Sequence, residues 1–109
     1  MLYYNLIEVY LPDRMRTPNG IVKILDSTFD RVYKEVRDIL LSSCTGCSER
    51  EEVGYFKDSG QVYKMKNKVL YAYFTDDVRF NIEHIHNLIN EELGQECSMV
   101  CVNHVADIQ

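Results

Sequence analysis

Four cysteines, three histidines and a run of lysines interleaved with tyrosines are the reactive or ligand-binding side chains that stand out in this chain of 109 residues. Cys44-x-x-Cys47 and Cys97-x₃-Cys101 are paired thiols, and thiolate pairs suit tetrahedral zinc. Geometry opposes that use. Cys97 and Cys101 on one strand would stand about 13 Å apart. A redox pair needs its first thiol activated, commonly at a helix N-terminus. Cys44 and Cys47 instead follow an expected helix C-terminus, where the dipole disfavours thiolate. The four are read as small apolar side chains, and no metal or cofactor is expected. His84 and His86 lie two apart on a helix and point about 200° from each other, so they cannot chelate one ion together. His86 borders an apolar stripe and reads as a packed histidine. His104 sits on a strand with no evident partner. There is no G-x-S-x-G, and the five glycines are scattered singly, so neither a nucleophile elbow nor a phosphate loop is marked. No catalytic residue is assigned.

Lys57, Lys64, Lys66 and Lys68 make residues 53–74, VGYFKDSGQVYKMKNKVLYAYF, locally basic in an acidic chain. The plain reading is a hairpin whose lysines keep it soluble and protect its edge. The chemical reading is an anion or nucleotide contact, with Tyr55, Tyr63 and Tyr71 stacking on a base and Lys64 and Lys66 meeting its phosphates. The acidic segment Glu49, Glu51 and Glu52 just before it is a second candidate surface, suited to a protein partner.

The totals bound these possibilities. One domain is expected at this length, with about 65% of the extended chain's surface buried. Apolar content of 46% and charged content of 27% are ordinary for a globular protein. A net charge of −5 argues against a nucleic-acid backbone as partner, which needs a basic face. The longest apolar run is VLYAYF, residues 69–74, too short to span a bilayer. The opening MLYYNLIEVYLP reads as a strand and not as a signal peptide, so a cytoplasmic location is expected.

Periodicity predicts the strands and helices that carry these side chains. Residues 3–11 alternate with period two and are apolar on both faces, a central strand ended by Pro12. DRMRTPNG, residues 13–20, reads as a loop. A helix is expected over 21–41, with Ile21, Leu25, Phe29, Val32, Val36, Ile39 and Leu40 on one stripe. SSCTGCS stops it. The hairpin follows, turning at Asp58-Ser59-Gly60. Thr75-Asp76-Asp77 is the expected N-cap cluster of a second helix over 78–93, striped by Val78, Ile82, Ile85, Leu88, Ile89 and Leu93. Gly94 is its expected stop, and residues 97–106 form a last strand.

The order β, α, β-hairpin, α, β predicts an α+β, ferredoxin-like βαββαβ domain over residues 1–109: a four-stranded antiparallel sheet with two helices on one face. That leaves a sheet face without helices, yet both parities of the first and third strands carry large side chains. An oligomer covering this face is expected, with Tyr4, Tyr10 and Tyr73 in the interface.

Around the hairpin the chain resembles a family of small, uncharacterised bacterial and phage proteins. The likeness covers roughly residues 40–100. It rests on Thr45-Gly46-Cys47-Ser48, Gly54-Tyr55-Phe56, Asp58-Ser59-Gly60, Val62-Tyr63-Lys64 and Gly94-Gln95-Glu96. Family members often carry Glu where this chain has Met65. The resemblance implies the ferredoxin-like fold and no activity. Together these readings predict an oligomeric binding or inhibitory accessory protein acting on a host protein or defence system, in the host cytoplasm if phage-encoded. The alternative is an oligomer that binds or cleaves a small anionic ligand at its subunit clefts, by analogy with signal-sensing PII-type trimers and with phage enzymes that cleave S-adenosylmethionine.

Overall fold

The structure, a computed structural model, describes residues 4–104. Tyr3, residues 105–106 of the expected last strand and the tail 107–109 lie outside the described residues. The fold is α+β. Four strands form one antiparallel sheet in the order β4-β5-β1-β6, where β1 is Asn5–Pro12, β4 Ser48–Asp58, β5 Gln61–Phe74 and β6 Val100–His104. Two helical segments complete it: α1, Asp26–Leu41, and α2, Ile82–Asn87, which runs on as one π-helical turn over Leu88–Glu92. The arrangement is consistent with a ferredoxin-like fold.

The element order departs from a plain βαββαβ because of residues 13–23. The sequence pattern predicts a loop leading into helix here. Instead β2, Arg14–Thr17, and β3, Gly20–Lys23, form a separate two-stranded hairpin. Gly20 supplies the reversal with a φ of 116°, a conformation that L side chains rarely adopt. The Thr17 hydroxyl donates to the Gly20 carbonyl at 2.9 Å and steadies the turn. Ile21 and Val22 are therefore paired with Arg16 and Met15 and do not begin a helix. Leu25, placed on the expected stripe, is 74% exposed just ahead of α1.

The rest of the α1 stripe packs as expected. Val32, Val36 and Leu40 are buried against Ile7, Val9 and Leu11 of β1 and against Leu70, Ala72 and Phe74 of β5. Ile85, Ile89 and Leu93 join the same cluster, so both helices lie on one face of the sheet. Truncating one of these large side chains to Ala would cost roughly 2–5 kcal/mol. The second helix starts later than expected. Thr75-Asp76-Asp77 makes a turn, with the Val78 N–H on the Thr75 carbonyl at 3.0 Å. Asn81 is the N-cap; its side chain accepts from the His84 N–H at 3.0 Å. Gly94 ends the helix as expected, with a φ of 63°. The Gln95 N–H closes the last turn on the Asn90 carbonyl at 3.0 Å, the 6→1 bond of a Schellman motif.

The hairpin arms are longer than expected. β4 begins at Ser48, so Glu49, Glu51 and Glu52 lie within the strand. The pairing with β5 is one-to-one along its whole length, from Ser48↔Tyr71 to Asp58↔Gln61. The helices cover only one end of this ribbon. No residue of β4 is buried, and β5 is buried only from Val69 onward. The other end projects as an arm, and the described residues extend 52 × 25 × 20 Å. Their radius of gyration of 15.2 Å exceeds the roughly 13 Å of a compact domain this size.

Candidate interaction surface on the arm

Because side chains alternate along a strand, the register sorts the hairpin into two faces. On the face shared with the helices, Val53 stands opposite Lys66, Tyr55 opposite Lys64, and Lys57 opposite Val62. Past the helices, Val53, Tyr55 and Val62 on this face have no cover among the described residues. Val53 is 49%, Tyr55 70% and Val62 66% exposed. Lys57, Lys64 and Lys66 are exposed too, and none of the three has an ion-pair partner among the described residues. The result is a checkerboard of apolar and cationic side chains.

The opposite face of the arm is supported. Phe56 and Tyr63 stack at 5.4 Å between centroids, 22° between planes. Arg16 of β2 pairs with Asp58 near the tip, and Glu96 lies 3.7 Å from the same guanidinium. Met15, Ile21, Phe56 and Met65 line a cleft of about 200 Å³ between β2–β3 and the arm. The inserted hairpin thus braces one side and leaves the other free.

Nearer the core, the helix-free face carries a polar cluster centred on Arg50. Its Nη2 donates to Glu8 and to the Tyr10 hydroxyl at 3.3 Å, and its Nε donates to Glu52 at 3.1 Å. The guanidinium carbon lies 5.3 Å from the centre of the Tyr71 ring. Val69, directly opposite both Tyr10 and Arg50, is fully buried although no helix lies on this side. The cluster roofs it. Large apolar side chains of both parities therefore find cover within the chain at this point. Hydrogen bonding to Glu8 above all, and then to Glu52, raises the Arg50 pKa further, so it stays cationic throughout. Burial, with Glu8 and Glu52 adding, pushes the Tyr10 phenol up.

The register divides the residues expected to hold a base and its phosphates. Tyr63 and Tyr71 lie on the helix-free face, whereas Tyr55, Lys64 and Lys66 lie on the other. Tyr71 is already beneath Arg50, and Tyr63 is stacked on Phe56 and donates to Gln61 at 2.8 Å. The three glutamates are divided too. Glu49 accepts from the Tyr33 hydroxyl; burial first, and that bond second, push Tyr33 up to about 12. Glu52 belongs to the Arg50 cluster on the far face. Glu51 is exposed on the helix side, opposite Lys68, whose ammonium lies 5.3 Å from the Tyr33 ring centre and 6.0 Å from that of Phe29. Tyr4 and Tyr73 share a shallow cleft with Tyr71, and Tyr10 lies on the same helix-free face as Tyr73, against Arg50.

Cys44 and Cys47 are half-buried against the core, and burial raises both thiols, as expected of packing residues. Cys97 is exposed. His86 is half-buried and shares a hydrogen bond with Ser98, whereas His84 is exposed. Arg50 and Glu8 were not singled out from the sequence. The available signal was parity: Arg50, Val69 and Tyr10 form one row across the three strands. No protein-family model matches the chain, and the curated proteins include no significant match to it.

Proposed function

We propose that this chain acts by binding another protein, through the free face of the β4–β5 arm, on a ferredoxin-like βαββαβ frame with one inserted hairpin. The observation that carries this reading is the unpaired checkerboard of Val53, Tyr55 and Val62 with Lys57, Lys64 and Lys66. Exposed apolar groups gain from burial, at roughly 25 cal/mol per Å². Unpaired ammonium groups gain from opposite charge. A partner with an acidic, amphipathic surface satisfies both. An extended nucleic acid fits less well, because the chain's net charge of −5 repels it beyond the arm. On the resemblance to small bacterial and phage proteins, the role is accessory or inhibitory and the partner is a host protein in the host cytoplasm.

The test is an amide chemical-shift titration with a synthetic peptide of alternating Glu and Leu. Shifts are expected at Val53, Tyr55, Lys57, Val62, Lys64 and Lys66, and are lost in the Lys64→Glu/Lys66→Glu variant. Two outcomes go against the reading: silence at those six positions, or a saturable thermal shift with nucleotides or S-adenosylmethionine that maps to Tyr71.

A further inference from the structure

β4 is the outer strand of its sheet, and its edge is a second surface, distinct from the face. The strand is eleven residues long, contains no proline and pairs with β5 without a bulge. Long, unbulged edges of this kind are templates for further pairing.

The direction of its free hydrogen-bonding groups follows from the turn. Ser59 and Gly60 form a two-residue turn with φ of 52° and 81°, both left-handed, which is type I′. The flanking pair, Asp58 and Gln61, then exchanges both ladder bonds. Alternation points the N–H and C=O of even β4 residues at β5 and those of odd residues outward. Contacts on the other side of β5 agree. Lys66, an even residue, directs both of its backbone groups at Asp13, away from β4. The outward set is therefore Glu49, Glu51, Val53, Tyr55 and Lys57. Among the described residues β4 has no neighbour on that side.

We propose that this edge pairs antiparallel with β4 of a second copy, about a two-fold axis through Gly54. Outward residues must meet outward residues, which leaves only a few registers. With Gly54 on the axis, Glu51 faces Lys57 of the other copy and Val53 faces its Tyr55. On the far face, Arg50 meets Asp58. Each relation occurs twice by symmetry. Shifting the axis to Glu52 sets that carboxylate against itself. Shifting it to Tyr55 sets Glu52 against Asp58. An axis at Val53 puts Glu51 against Tyr55 and leaves Lys57 facing Glu49. Only the Gly54 register places opposite charges on both faces and matches apolar with apolar.

Four outward pairs would exchange about eight backbone hydrogen bonds and join the two sheets into one of eight strands. Gly54 has room at the axis: a Cβ there would meet only the Asn67 side chain, at 4.0 Å. Because α1 packs near Glu49, the two helix layers stand at opposite ends of the joined arms, with both checkerboard faces between them. The pairing uses the strand's edge and does not depend on any acidic partner of the face.

Sedimentation velocity over a concentration series, with no peptide present, tests this. The unmodified chain is expected to dimerise. Glu51→Lys and Lys57→Glu, both at exposed positions, are each expected to weaken the dimer about tenfold, since each turns two attractive cross-strand pairs repulsive. Combining them restores the pairs and the dimer. Gly54→Cys supplies a check on register: oxidation should link residue 54 to residue 54, because non-hydrogen-bonded partners stand close enough for a disulfide. A chain that stays monomeric throughout overturns the proposal. So does a dimer indifferent to either charge reversal, or a double variant as weak as the singles.

Discussion

Arg50 shows how much one side chain can settle on an exposed sheet face. Its two donor directions reach carboxylates on two different strands, Glu8 on β1 and Glu52 on β4, and its guanidinium carbon lies 5.3 Å from the centre of the Tyr71 ring on the strand between. The consequence below it is a buried Val69. Removing the guanidinium does two things: it uncovers Val69, and it leaves Glu8, whose side chain is only 13% exposed, without its cation. Arg50→Ala is expected to lower unfolding stability by about 1–3 kcal/mol, the cost of stranding a half-buried charge. Solvent access keeps the figure below that of a fully buried pair. Arg50→Lys should recover little. An ammonium is a point charge and lacks the fork that serves two divergent carboxylates. Chemical denaturation of the three proteins decides this. A Lys variant as stable as the Arg protein would mean that charge alone matters, and that the forked geometry does not.

Individual elements were legible where one period dominated the local sequence. β1, the far half of β5 and the Val32–Val36–Leu40 stripe each repeat cleanly and fold as their pattern says. Residues 13–23 carried two messages. Ile21 lies four residues before Leu25, which suits a helix, but Met15, Ile21 and Val22 also suit a short hairpin. Gly20 with its positive φ decides between them, and nothing in a helical stripe records that angle. The Arg50 cluster was hidden for another reason. Glu8 and Arg50 are 42 positions apart, and only the registers of β5 with both β1 and β4 bring them together. Gly94, by contrast, was visible as a stop, and its backbone explains why. A φ of 63° strains any side chain by roughly 1–2 kcal/mol. An added Cβ would also come within 2.8 Å of the Met15 sulfur, which must swing aside. Gly94→Ala is therefore expected to destabilise the protein by about 1–2 kcal/mol in urea titrations. An unchanged midpoint would show that the Schellman turn does not constrain the chain.

At the scale of the whole molecule, stability and interaction occupy opposite ends of one ribbon. Every fully buried side chain lies outside residues 41–68, and the arm adds exposed apolar groups and unpaired charge in place of core. A protein selected for stability alone gains little from such an extension. The division can be tested by cutting the arm without disturbing the sheet. A two-residue type I′ turn needs a flanking pair that exchanges both ladder bonds. On β4 those are the even residues, so Gly54 and Met65 qualify, whereas Val53 and Lys66 do not. Replacing residues 55–64 with Asn-Gly preserves the register of the remaining strands and leaves the Arg50 cluster and the helical core intact. The variant is expected to keep the far-ultraviolet circular dichroism of a folded α+β domain. Its thermal midpoint should fall by only a few degrees, because it loses the Phe56–Tyr63 stack and the Arg16–Asp58 pair. It should bind no acidic peptide and form no dimer. Collapse of the fold on shortening would instead place essential stability in the arm, and the free face would then be an incidental product of a long hairpin.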